Sequence, residues 1–358
     1  MVQGAGPWGT GPYKLVDGFS FPDKRADRVV LEANPAYWDT TRLPRLQRII
    51  FDNTLAQRDA VELVKTGEGR VDLVSELSPL ETLRVAQSPF AKVVKTRDNL
   101  GFLFGRFNMR KAGSPWRDVR VRQAVNLAIN REDLIRYAAK GNGVIVPALL
   151  AVNSFGYDPA LAPYAFDPGK ARALLREAGY PDGLAVTLIA PTAWEVQATV
   201  VGKMLEQAGL TVERQLLDPT VYNQKTRLPE LDQPAEHQAW DIALTSWRDA
   251  VNFPAFHPDH LFALDGPEDW VLEAPELQRL YAQVLRTVDR EQQQALIRQM
   301  ERHTWDQAYF LFLYNPIKLY AVNKAVDFVP YVSTTLNLAE TSVTDQHWSV
   351  RRATMKTE

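Results

Sequence analysis

The residue types and spacings in this chain that could support chemistry begin with His257-Pro-Asp-His260, its one histidine cluster. Two imidazoles with the Asp259 carboxylate form a donor set suited to a divalent metal. The proline keeps the imidazoles from being placed on one helical face, and no third histidine is close in sequence. The tract therefore reads as a solvated loop, and no metal is expected. Gly4-Ala-Gly-Pro-Trp-Gly9 spells GxGxxG, but no strand precedes it and Pro12 follows. It lacks the strand-turn-helix setting that aims such a loop at a pyrophosphate, so no nucleotide cofactor is expected.

Reaction machinery is equally sparse. The chain has no cysteine, which removes thiolate nucleophiles, disulfides and sulfur-ligated zinc together. GxSxG, HExxH and phosphate-loop sequences do not occur. Glu301 and His303 fall on a predicted amphipathic helix and read as surface groups. Nothing in these residues argues for a reaction.

Composition narrows the class further. A chain of 358 residues exceeds the usual size of one domain, so two lobes are the default. With 46% hydrophobic and 23% charged residues it has the make-up of an ordinary globular protein. Lys plus Arg (41) nearly balance Asp plus Glu (43), and no basic block is present, so no nucleic-acid partner is expected. No run reaches the roughly 18 to 20 apolar residues of a membrane span.

The elements that must position any binding residues can be read from periodicity. Gly11 to Val16, Arg28 to Glu32 and Leu46 to Phe51 read as strands, and Ala56 to Lys65 as a helix leading into a strand over Arg70 to Val74, a β-α-β unit. Asn99 to Met109 reads as a strand with Phe102, Phe104, Arg106 and Asn108 on one face. Val121, Ala124, Val125 and Ala128 recur at helical spacing, and Asn130 reads as an N-cap with Asp133 three residues on. Asp167-Pro168 opens another helix and Gly179 stops it. Leu184 to Ala190, a helix over Trp194 to Ala208, and a strand over Thr211 to Leu217 repeat the β-α-β order, and Asp241 to Trp247 adds a strand. Helices over Pro275 to Thr287 and Arg290 to Gln307 and strands over Tyr309 to Tyr314 and Leu319 to Val322 complete the pattern.

Four segments stand in a fixed order within this frame. They are Gly9-Thr-Gly-Pro-Tyr-Lys-Leu15, Asn34-Pro-Ala-Tyr-Trp38, Val119-Arg-Val-Arg-Gln-Ala-Val-Asn-Leu-Ala-Ile-Asn-Arg131 and Tyr164-Ala-Phe-Asp-Pro-Gly-Lys-Ala-Arg-Ala-Leu-Leu-Arg-Glu-Ala-Gly179. From about Gly9 to about Tyr331 the chain resembles the extracellular solute-binding proteins of peptide and nickel ABC importers. The resemblance implies an α/β, type II (cluster C) periplasmic-binding-protein-like fold of two lobes with mixed sheets covered by helices. Residues 1–105 with 324–358 would form the first lobe, in part, and 106–323 the second. It also implies a periplasmic or membrane-anchored extracellular protein that binds a peptide or small solute in an interlobe cleft and delivers it to ABC permease transmembrane subunits. Met1 to Trp8 shows no signal-peptide pattern. The resemblance accounts for this if the sequence corresponds to the C-terminal two thirds of a family member, as a fragment or a naturally shortened relative. A complete chain of this type is expected to be a monomer. A cytoplasmic ligand sensor built on the same fold is the alternative.

The family places recognition on strand ends and loops, which directs attention to Phe102, Phe104, Asn108, Phe155, Tyr157, Trp194, Trp247, Arg248, Asp249 and Asn252. Trp194 and Trp247 follow predicted strands, where side chains can reach a cleft. Peptide-binding relatives tend to carry an acidic residue three positions after the tryptophan, for the peptide amine. Here that position is Ala250, with Asp249 one residue earlier, and no arginine precedes Trp194 in its loop to clamp a carboxylate. Burying an ammonium without a partner costs several kcal/mol. Both departures weaken the dipeptide reading specifically and leave open longer peptides held by main-chain hydrogen bonds, or a neutral or sugar-like solute stacked on Trp and Phe.

Overall fold

A computed structural model describes residues 9–20, 24–67, 69–248, 266, 269–272 and 274–354. The chain divides into two units, Met1–Thr96 with Lys318–Glu358, and Arg97–Ile317.

The first unit is built from both ends of the chain. β1 (Tyr13–Asp17), β2 (Arg28–Ala33) and β3 (Arg48–Asp52) form an antiparallel sheet in the order β1-β2-β3. Asn34, directly after β2, explains the Asn34 to Trp38 motif. Its Nδ2 donates to the Gly11 carbonyl at 3.2 Å and its Oδ1 accepts from the Ala36 N–H at 3.1 Å, so one side chain closes a turn and ties it to the start of the unit. The helix Gln57–Val64 buries Val61 and Val64. β4 (Leu73–Val74), β5 (Ala91–Thr96) and β12 (Lys318–Asn323) form a second sheet in the order β4-β12-β5. The β-α-β unit expected here is not formed. β3 and β4 flank the helix but lie in different sheets, because β4 takes its partners, Ala321 and Val322, from the far end of the chain.

The second unit is organised by a six-stranded sheet, order β7-β11-β6-β10-β8-β9. Its strands are β6 (Gly101–Phe107), β7 (Gly143–Val144), β8 (Ala185–Pro191), β9 (Thr211–Leu217), β10 (Ile242–Arg248) and β11 (Phe310–Pro316). β8 and β9 run parallel from Ala185↔Thr211 to Pro191↔Leu217, joined by the helix Glu195–Gln207, so the β-α-β reading holds at this point. Every residue of β6 is buried. Strands covered on both faces read as continuous apolar runs, as Phe102-Leu-Phe104 and Phe310-Leu-Phe-Leu-Tyr314 do. Gly105 sits at a close approach to its neighbours: a Cβ there would meet Leu311 Cβ at 3.0 Å and Ile242 Cγ2 at 3.1 Å.

The caps read from the sequence at Asn130 and Asp167 are formed, and the structure adds one at Asp118. Asp118, Asn130 and Asp167 each accept a first-turn backbone N–H, from Arg120, Asp133 and Lys170 respectively, and Gly179 takes a φ of +96° after the helix Pro168–Glu177. Asn126 and Arg131 fasten these helices to β11. Asn126 Nδ2 donates to the Phe310 carbonyl at 2.9 Å, its Oδ1 accepts from the Phe312 N–H at 3.0 Å, and Arg131 Nε donates to the Phe312 carbonyl at 3.0 Å.

The unit boundaries fall at Thr96/Arg97 and Ile317/Lys318, whereas the sequence suggested positions near Arg106 and Asn323. Strand pairing gives the reason. β6 bonds along its length to β10 and β11, while all of β12 pairs with β5.

Candidate functional site

Strand directions collect several of the predicted residues at one edge of the six-stranded sheet. β8 and β10 are parallel, β6 is antiparallel to β10, and β11 is antiparallel to β6. The carboxyl ends of β8, β10 and β11 therefore lie beside the start of β6. Trp247 on β10 stands opposite Phe102 on β6, and Arg248 opposite Gly101. β8 runs directly into the turn Thr192–Trp194. In sheets with parallel strands and helical crossovers, the carboxyl edge is where ligands bind, because loops there are free to vary over a rigid base.

The predicted residues differ in what they present at this edge. Trp194, Trp247, Phe155 and Tyr157 are half-buried and pack against the unit's main apolar core. Arg248 is exposed. Phe102 and Phe104 are 1% exposed, with ring centroids 5.1 Å apart, and Phe104 makes an edge contact with Phe310. Asn108 does not join them: it follows the end of β6, at the opposite edge of the sheet, and is fully buried, its Nδ2 donating to the Gln238 and Trp240 carbonyls and its Oδ1 accepting from the Lys111 N–H. Asp249 and Asn252 lie outside the described residues, as do the His257 to His260 cluster and Gly4 to Trp8. Among the described residues, no group of three His, Cys, Asp or Glu side chains could hold a metal ion.

The segment carrying Phe155 and Tyr157 is clamped by the helix Arg290–Asp306. Arg290 lies 4.9 Å over the Phe155 ring, Arg298 Nε donates to the Tyr157 carbonyl, and Arg302 pairs with Asp158. Glu301 corrects the sequence reading. Expected at the surface, it is 6% exposed and accepts the Leu149 and Leu150 N–H groups. Burial raises its pKa to about 7, against the lowering effect of those two hydrogen bonds. A single acidic letter on an amphipathic helix gave no sign of this, because the donors come from a loop about 150 residues away in sequence.

Further polar residues at the same edge escaped the sequence reading. Asn315 Nδ2 donates to the Asn99 and Gly101 carbonyls, and Asn99 Nδ2 donates to the Pro316 carbonyl. Tyr314, hydrogen-bonded to the Gln197 side chain, has its hydroxyl pKa pushed up to about 12 by burial. The available signal was an asparagine closing the apolar run Phe310 to Tyr314 just before a proline. Strand-end asparagines of this kind join strands at the rim and fix its shape.

With this geometry described, comparison with known proteins defines the class. Residues 3–266 match the family model of the bacterial extracellular solute-binding proteins, family 5, and the chain belongs to that family. A relative named glutathione-binding protein GsiB, from Pectobacterium atrosepticum, is 27% identical over 322 residues, covering 86% of this chain and 58% of the relative. The structure of the ABC transporter substrate-binding protein CtaP from Listeria monocytogenes matches with a TM-score of 0.79 at 20% identity, covering 94% of this chain and 67% of CtaP. The Helicobacter pylori periplasmic binding protein DppA, in complex with the peptide STSA, matches with a TM-score of 0.74 at 20% identity, covering 94% and 63%. The fold is that of the type II periplasmic binding proteins. The chain spans less than two thirds of the length of the glutathione-binding relative. No helix among the described residues is long and apolar enough to cross a membrane.

Proposed function

We propose that this chain acts as the solute-binding component of an ABC importer, taking a peptide or related small solute at the carboxyl edge of β8 and β10, in an interlobe cleft, and delivering it to the permease. The convergence of Trp194, Trp247 and the β6 start on one sheet edge carries this reading. Family membership and relatives named for glutathione binding or bound to a peptide support a peptide-like ligand. Ligand would bind the closed arrangement of the lobes more tightly and shift the population toward it.

Trp194, Trp247, Phe155 and Tyr157 would supply stacking surface, with Arg248, Asp249 and Asn252 as the polar groups. Ala250 in place of an acidic residue disfavours tight capture of a free dipeptide. Longer peptides held through their main chain, or a neutral solute stacked on the indoles, fit the site better. Calorimetric titration with di-, tri- and oligopeptides, glutathione and oligosaccharides tests the proposal. Saturable binding of one class, tighter for longer peptides than for dipeptides, is the expected result. A cooperatively folded sample that binds none of them would sink it.

A further inference from the structure

The opposite edge of the same sheet carries a pocket. It is about 240 Å³ in volume and lies where β6 ends and β11 begins, lined by Met109, Arg117, Val119, Arg122, Gln307 and Tyr309 together with Leu272. The strands between the two edges are seven residues long, so roughly 20 Å separates this pocket from the rim that bears Trp247.

Arg122 is the unusual feature. It is 4% exposed, and its hydrogen bonds go only to backbone carbonyls: Nε to Gln307 at 2.9 Å, and Nη1 to Trp116 at 2.6 Å and Arg117 at 3.2 Å. Its guanidinium also lies 5.3 Å over the Tyr309 ring. No carboxylate within ion-pair distance faces it among the described residues, and Asp118, the nearest acidic influence, is engaged by Arg120. Arg131 provides the contrast. It is equally buried and also lacks a carboxylate, but all three of its guanidinium nitrogens are bonded, through Phe312, Asn126, Ile129 and Tyr164. Among the described residues Arg122 Nη2 has no hydrogen-bond partner, and Arg122 lines a cavity.

A buried cation without a counterion is costly, and an arginine fork with an open nitrogen matches an oxyanion. Arg117 reaches the same pocket. Its Nε donates to the Met109 carbonyl, and its two terminal nitrogens have no partner among the described residues. Desolvation lowers the Arg122 pKa only to about 10, so the group stays charged at neutral pH. Met109, Val119 and Leu272 make the remainder of the wall apolar.

We propose that this pocket is a binding site for a small oxyanion, a carboxylate or phosphate group held between Arg122 and Arg117, separate from the solute site. The proposal is independent of the solute reading, since it concerns the other edge of the sheet.

The test titrates the 358-residue chain with sodium acetate, sodium citrate and sodium phosphate at constant ionic strength against sodium chloride, followed by calorimetry and by the thermal midpoint. At least one oxyanion should bind saturably, and which one does so distinguishes carboxylate from phosphate recognition. Arg117→Ala should weaken binding about tenfold, the worth of a charge-assisted hydrogen bond, while the anion-free midpoint falls by no more than the loss of its one hydrogen bond to the Met109 carbonyl allows. Val119→Phe, which fills the cavity without touching either arginine's charge, should abolish binding. Absence of saturable binding by every probe overturns the proposal, and so does wild-type affinity in Arg117→Ala.

Discussion

Glu301 accepts the backbone N–H groups of both Leu149 and Leu150 through a single oxygen, at 2.6 and 2.8 Å, and so anchors the segment that leads to Phe155 and Tyr157. Arg298 and Arg302, each within a turn of Glu301 on the same helix, hold that segment again seven to nine residues further along the chain, at Tyr157 and Asp158. Loop position in the second unit is therefore fixed by one helix.

Stability should depend on pH through Glu301. Its folded-state pKa, about 7, lies above that of an unfolded glutamate, so the native state binds the proton more tightly. The resulting stabilisation is complete below about pH 4 and is lost as pH rises through 7, a change on the order of a few kcal/mol. Glu301→Gln keeps one oxygen for the two N–H groups and removes the titration. Urea denaturation at pH 5 and pH 8 should show a smaller difference between the two pH values for the variant than for the parent chain. Equal differences would sink the assignment.

Asn126→Ala removes both hydrogen bonds to β11 and leaves the Phe312 N–H and the Phe310 carbonyl buried. A buried backbone group without a partner costs about 1 to 3 kcal/mol, so the variant should lose roughly 2 to 4 kcal/mol in total. The midpoint of chemical denaturation checks this, with unchanged slope if the native fold is retained.

Gly105→Ala tests the tight approach of β6 to its neighbours. The added methyl meets Leu311 and Ile242 inside ordinary contact distance. Overpacking of a fixed sheet costs about 1 to 3 kcal/mol, measurable as a lowered thermal midpoint. A neutral outcome would mean that the strands spread easily.

Trp194→Ala and Trp247→Ala address the solute site. Both indoles are half-buried at the same sheet edge. If they stack on ligand, each truncation should weaken peptide binding by about tenfold or more in calorimetry. Phe102→Leu, deep in the core, should act on stability with little change in affinity. The reverse pattern would move the site away from the indoles.

Much of the scaffold was written in the sequence because its signals are local. Asn130 and Asp167 cap helices using donors three residues away, and Gly179 supplies a backbone conformation that other residues resist. The parallel pair β8 and β9 followed from two apolar runs around a helix of crossover length. The resemblance of four ordered segments to one family rested on such local signals and was matched by the family model.

Tertiary structure decided everything that depends on which distant segment arrives as a neighbour. β4 reads as the end of a β-α-β unit until β12, about 250 residues later, takes its hydrogen bonds. Glu301 reads as a surface acid until a loop delivers two N–H groups to it, and the burial of Arg122 is settled by Trp116, Gln307 and Tyr309, which enclose it. Periodicity reports which face of an element is apolar. The cost of burying a charge, and the donors that offset it, are set only once the chain has folded.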